Sequence, residues 1–163
     1  MGALMQTPIY GTVWENLTII PASGGCVLKM LTPDNPLTPN FEHGFGELYF
    51  SEINSGEIRA WKCHKRQNQL FCVPMGLIKI GMYDARVNSP SCGKACSFLL
   101  GRPNYYRLLR LPAGIWYGFE CLSKNSAIIC NFADLPHNPD EMERADLHDP
   151  IIPAEWLSLV PAG

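Results

Sequence analysis

"GEIRAWKCHKRQNQLFCVPMG" runs from residue 56 to residue 76. Its landmarks are Gly56, Lys62, His64, Gln69 and Gly76, with five, one, four and six residues in the gaps between them. The runs "EIRAWKCH" and "LFCVPM" read as two short strands. The glycines suit the sharp turns that bound them. Lys62 and His64 stand two apart on the first strand, so both side chains point to one face.

Outward from this stretch the pattern repeats. "TIIP", "CVLKML", "GELYFSEI", "LIKIGMYDA", "YYRLLRLP", "WYGFECL" and "SAIICNFA" are further strand-like runs. Breaks such as "SGG", "TPDNPLTPN", "NSPSCGK" and "LPAG" separate them, and long helical periodicity is missing. Many short strands at regular spacing predict an all-β sandwich or barrel. The tail "LPHNPDEMERADLHDPIIPAEW" is polar and proline-rich, and a short helix is expected near "PDEMERA", with Pro139 in its first turn. A chain of 163 residues fits one domain. Residues 1–44 supply N-terminal strands and a dimer arm, 45–133 the barrel, and 134–163 a tail packed on it.

Composition excludes several classes. The chain is 47% hydrophobic and 17% charged, which argues for a folded globule. A net charge of −2 with no basic block argues against a nucleic-acid partner. No apolar run is long enough for a helical membrane span. The start shows neither a signal-peptide pattern nor a myristoylation pattern. The seven cysteines form no CxxC pair and read as reduced thiols of a cytoplasmic protein.

The landmark spacing of residues 56–76 resembles the first motif of metal-binding cupins. That motif carries His-x-His where this chain has Lys62 and His64, and Glu where it has Gln69. The second cupin motif resembles "PAGIWYG", with Tyr117 in the place of a histidine after Pro112 and Gly114. The resemblance implies a double-stranded β-helix, or jelly roll. An ammonium has no free lone pair and a carboxamide is a weak ligand, so no metal and no cofactor are expected.

A more specific resemblance is to the dTDP-4-dehydrorhamnose 3,5-epimerases, which are metal-free cupins. It rests on residues 45–86, on "LLRLPAGIWYGFECLS", and on "NPDEMERADLHDPIIPAEW" with its Asp-Pro and its Trp156. Members epimerise a nucleotide-linked 4-keto-6-deoxyhexose. A histidine held by an aspartate removes the proton beside the ketone, a lysine holds the enolate oxygen, and a tyrosine on the other face of the sugar delivers a proton. By this resemblance the base position holds Lys62, the enolate position Gln69 and the tyrosine position Cys130. Asp149 and Arg59 match the family's aspartate and strand arginine.

Two readings follow. In the first, the protein is a sugar-nucleotide epimerase or isomerase of carbohydrate biosynthesis, in which standard 3,5-epimerisation is not expected. Lys62 then serves as a cation or a base, and Asp149 beside it favours the charged form. His64 becomes the best proton carrier, with Tyr117 and Cys130 as acids. Arg59, Gln69, Trp61 and Trp116 are candidate ligand-binding residues, although Arg59 points away from Lys62 on a regular strand. In the second reading, the cavity binds a small ligand or is merely filled. The family resemblance also implies a homodimer.

Overall fold

The computed structural model describes residues 3–38 and 43–153. Trp156, part of the tail motif, lies outside the described residues. Thirteen strands follow the breaks seen in the sequence. They are β1 (Met5–Gln6), β2 (Val13–Asn16), β3 (Ile19–Ala22), β4 (Gly25–Leu28), β5 (Glu47–Ile53), β6 (Ile58–His64) and β7 (Gln69–Met75). Then come β8 (Leu77–Asp84), β9 (Ala95–Gly101), β10 (Arg107–Leu111), β11 (Ile115–Cys121), β12 (Ala127–Ala133) and β13 (Met142–Arg144).

The strands form two antiparallel sheets, ordered β1-β2-β10-β7-β12-β5 and β13-β6-β11-β8-β9, while β3 and β4 make a separate hairpin. The sheets close into a jelly roll. Period-2 alternation drives the closure, because each strand has one face that must leave water. Phe71, Val73, Ile78, Ile80, Met82, Phe98, Leu109, Tyr117, Phe119 and Ile129 share one buried cluster between the sheets. Burying a side chain of this size contributes about 1.5–3 kcal/mol.

A second cluster lies on the other face of the six-stranded sheet. There Leu70, Cys72, Leu108 and Cys130 are covered by Leu17, Leu28, Met30 and Leu37 of the N-terminal segment. Within the expected dimer arm, β1 and β2 pair with this chain's own β10 side of the sheet.

The tail departs from expectation. The predicted helix at "PDEMERA" is one 3-10 turn, Pro139–Glu141, followed by strand β13. Asn138 caps the turn by accepting the Asp140 N–H. Pairing with β6 then captures the next residues, setting Met142 beside His64 and Arg144 beside Lys62. An exposed sheet edge offers more backbone hydrogen bonds than a helix of one or two turns provides. Farther on, Leu147 and Ile152 pack with Trp61, Cys63 and Trp116 on the outer face of the five-stranded sheet. No helix of the described residues is long and apolar enough to cross a membrane.

Candidate active site

One end of the barrel interior is polar, and two walls supply it. The five-stranded sheet contributes Lys62 and His64 from β6 and Tyr117 from β11. Lys62 and Tyr117 are directly paired, so their side chains share a face. The six-stranded sheet contributes Gln69, Asn131 and Tyr49. Asn131 pairs with Tyr49 on one side and with Phe71 on the other. Leu48 and Phe50, flanking Tyr49, point out to solvent, at 47% and 63% exposed. Tyr117 rests on Phe71 and Phe119, each ring 5.5 Å away, and these form the floor.

A bulge sets the charge at this mouth. Between the pairs Lys62–Tyr117 and Arg59–Phe119, β6 advances three residues and β11 only two. The extra residue puts Ala60 and Trp61 together on the outer face, in the cluster with Trp116. Arg59 and Lys62 therefore share the inner side, although an odd number of positions separates them. This corrects the expectation from a regular strand that Arg59 points away from Lys62. Close approach at the bulge needs Gly118, where an added Cβ would stand 2.5 Å from that of Ala60.

The proton-handling group is built on His64. Its Nδ1 is hydrogen-bonded to Glu141 Oε1, and its Nε2 lies 3.1 Å from the Tyr117 hydroxyl. The second Glu141 oxygen accepts the backbone N–H of Arg66 at 3.0 Å and of Gln67 at 3.1 Å. Burial opposes ionisation of Glu141, but the bonds from His64 and the two amides outweigh it and hold the carboxyl below its usual range. An ionised carboxylate cannot donate, so Nδ1 carries the imidazole proton and Nε2 accepts from the Tyr117 O–H. Burial lowers the His64 pKa against the opposing pull of Glu141, so the ring is a neutral base. Burial pushes the Tyr117 phenol well above its ordinary range, which keeps it protonated.

Lys62 lines a cleft of about 680 Å³ together with Arg59, Trp61, Arg144, Asp146 and Asp149, among others, whereas His64 and Tyr117 do not line it. Here the structure corrects a second expectation. The ammonium is disfavoured first by burial and then by the neighbouring Arg144 and Arg59, and its pKa is lowered. Asp149 lines the same cleft, but one of its carboxylate oxygens accepts the Ile151 N–H of its own turn at 2.9 Å. The carboxylate that hydrogen-bonds an imidazole beside Lys62 is that of Glu141, and the imidazole is that of His64.

The remaining candidates divide. Gln69 is buried in the six-stranded wall, where its Nε2 donates to Gln67 Oε1 at 2.8 Å. Gln69 Oε1 and Asn131 Oδ1 are buried acceptors without a hydrogen-bond partner among the described residues. Cys130 faces the other way: its thiol lies 3.4 Å from Met30 Sδ in the cluster under the N-terminal segment. Alternation along β12 gives the inner face to Ile129 and Asn131, so Cys130 is not an acid of this cavity. Trp116 is likewise turned outward, into the cluster beneath the tail, and so stacks on nothing inside the barrel. Trp61 belongs to the same cluster, where its Nε1 donates to the Leu147 carbonyl at 3.3 Å, and it reaches only the cleft.

Sequence reasoning missed Glu141, Asn131 and the role of Tyr49. Asn131 Nδ2 donates to the Tyr49 hydroxyl at 2.7 Å, which leaves the phenol proton free to point elsewhere. The alternation of "ELYFSEI" carried the signal for Tyr49, but nothing local marks Glu141. Among the described residues no three His, Cys, Asp or Glu side chains gather in a metal-holding group.

The chain is 30% identical over 117 residues to the spore coat polysaccharide biosynthesis protein SpsL of Bacillus subtilis (strain 168), covering 71% of this chain and 76% of that one. It belongs to the dTDP-sugar epimerase/isomerase family of cupins. The crystal structure of a dTDP sugar isomerase from Desulfovibrio desulfuricans G20 is 42% identical, with a TM-score of 0.86 over 97% of this chain and 96% of that one. A probable low-salt glycan biosynthesis epimerase, Agl13 of Haloferax volcanii, is 33% identical over 85 residues. That match spans about half of each chain, 52% of this one and 54% of Agl13. The epimerase of Legionella pneumophila, solved with dTDP-4-keto-L-rhamnose, shares the fold at 19% identity, with a TM-score of 0.82 over 96% of this chain and 84% of that one. No family model matches the sequence.

Proposed function

We propose that this cupin epimerises or isomerises a nucleotide-linked 4-keto sugar at a carbon beside the ketone, in the synthesis of a polysaccharide or glycan. The observation that carries this reading is the chain Glu141–His64–Tyr117 in the barrel mouth. A ketone acidifies its neighbouring C–H, and a neutral, oriented imidazole is the group that removes such a proton at neutral pH. His64 Nε2 takes the proton, and Glu141 stabilises the imidazolium that forms. The guanidinium groups of Arg59 and Arg144, in the cleft that Asp146 and Asp149 also line, suit the diphosphate of the carrier. Lys62, beside His64 on one wall, stands at the carbonyl. Tyr49 returns a proton from the facing wall.

Standard 3,5-epimerisation is not part of the proposal. The family positions for base, enolate lysine and tyrosine hold Lys62, Gln69 and Cys130. The nearest proton carriers have moved to His64 and Tyr49, one on each wall. That complement serves a single centre. The homodimer stays a proposal as well, supported by Leu48 and Phe50 exposed on edge strand β5.

The test is solvent exchange. Wild-type protein, given dTDP-, UDP- and GDP-linked 4-keto-6-deoxyhexoses in deuterated water, is expected to place deuterium beside the ketone, and His64→Asn to place none. If no sugar gains deuterium, the non-catalytic ligand-binding reading takes over.

A further inference from the structure

We infer that Lys62 acts covalently, condensing its amine with the sugar ketone so that His64 removes the proton beside an imine rather than beside a free carbonyl. The inference rests on the function proposed above and assigns Lys62 a role that a fixed cation does not have.

Position comes first. Lys62 is two residues from His64 on one face of β6 and lies directly across from Tyr117 on β11. A ketone placed for its α-proton to reach His64 therefore lies beside the Lys62 side chain. Its amine has no hydrogen bond or ion pair to any described residue. The groups around it are Arg59 on its own strand, Arg144 on β13, His64, and the cleft residues Asp146 and Asp149. Burial and the two guanidinium groups, not an acid, act on its charge, and they favour the free amine. A neighbouring cation and a desolvated site are what activate an amine for attack on a carbonyl.

Chemical need comes second. On the facing wall the buried Gln69 carries no charge with which to hold an enolate oxygen. Two arginines already flank the cleft, so a third permanent cation between them is opposed by repulsion. An iminium supplies the missing electron sink without that cost, because its positive charge is neutralised at the moment the α-proton leaves.

Each step balances. The Lys62 nitrogen attacks the carbonyl carbon, and the oxygen leaves as water after taking one proton from the attacking amine and one from solvent. The C–N double bond is protonated as an iminium. His64 Nε2 takes the α-proton, and the C–H electrons move into the iminium to give a neutral enamine. Proton return to the carbon restores the iminium. Water then adds, the C–N bond breaks, and ketone and free amine are recovered. Nothing is oxidised or reduced.

Two measurements on the full-length protein test the idea, with the nucleotide-linked 4-keto-6-deoxyhexose that shows deuterium exchange as probe. Cyanoborohydride, which reduces iminium ions in preference to ketones, is expected to leave the reduced sugar nucleotide on the peptide carrying Lys62. In heavy-oxygen water the wild type is expected to speed loss of the ketone oxygen, since imine formation expels it, and Lys62→Arg to lose both this and deuterium exchange by about 10²-fold or more. A cation-only role predicts that Lys62→Arg keeps most of the deuterium exchange, and that result overturns the inference. So does deuterium exchange in the wild type with no adduct, or with adducts only on exposed lysines such as Lys65. Absence of deuterium exchange in the wild type would instead remove the proposed function itself, and the imine with it.

Discussion

The imidazole of His64 and the carboxylate of Glu141 are hydrogen-bonded across 77 positions of sequence. β6 supplies one partner, and the 3-10 turn that precedes β13 supplies the other. Because β13 pairs with β6 beside His64, the same backbone ladder also aims the carboxylate at Nδ1. Orientation and tautomer of this imidazole are thus set by sheet pairing.

Replacing Glu141 separates these roles. Glu141→Gln keeps the shape and an acceptor for Nδ1 but turns an NH2 group toward the Arg66 and Gln67 amides and cannot balance an imidazolium, so deuterium exchange should drop by about 10²-fold or more, with some loss of stability. Glu141→Ala also strips the acceptor from the Arg66 and Gln67 amides and should cost about 2–4 kcal/mol. Exchange kinetics and urea melts distinguish the two. Equal exchange rates for Glu141→Gln and wild type would remove the dyad from the mechanism.

The acid side of the pH profile follows from the lowered His64 pKa. The rate should rise through an apparent pKa below the ordinary histidine value of about 6.5 and level off by neutrality. Stability should move the same way. The unfolded histidine binds its proton at higher pH than the folded one, so stability falls as pH drops below about 6.5 toward the folded value. Glu141, also depressed, adds stability that is lost later, as pH falls from its unfolded value through its folded one. Urea midpoints over this range should decline in the wild type, and the upper part of that decline should flatten in His64→Asn.

Tyr49 is expected to matter more for chemistry than for stability. Its hydroxyl accepts from Asn131, its ring is partly exposed, and Phe retains the packing. Tyr49→Phe should therefore cost about 1–3 kcal/mol, from the buried Asn131 amide left without its acceptor, while turnover to the inverted sugar falls by about 10²-fold. Deuterium exchange with retention should persist, because His64 still removes and returns the proton on its own side. Unchanged inversion in this variant would show that the facing wall supplies no acid.

Cys130 offers the opposite case. Its thiol is buried with Cys72 and Met30 on the outer face of the six-stranded sheet. Cys130→Ala should leave deuterium exchange within about twofold and lower stability by about 1 kcal/mol, from lost packing alone. A large loss of rate with an unchanged melt would mean that the residue acts in the cavity after all.

Much was legible in the chain itself. Strand alternation, the glycine and proline punctuation, and the spacing from Gly56 to Gly76 are local properties, and they determined a β-barrel with Lys62, His64 and Tyr117 on one wall. Two decisions belonged to the tertiary structure. One was the bulge at Ala60 and Trp61, which appears only when β6 is registered against β11 and which carries Arg59 to the side of Lys62. The other was the choice of acid. "PDEMERA" has helical composition, yet the open edge of β6 draws it into a strand and delivers Glu141, not Asp149, to His64. Register and long-range pairing are settled by which edges are left to bond after the barrel closes, and no window of neighbouring residues contains that information.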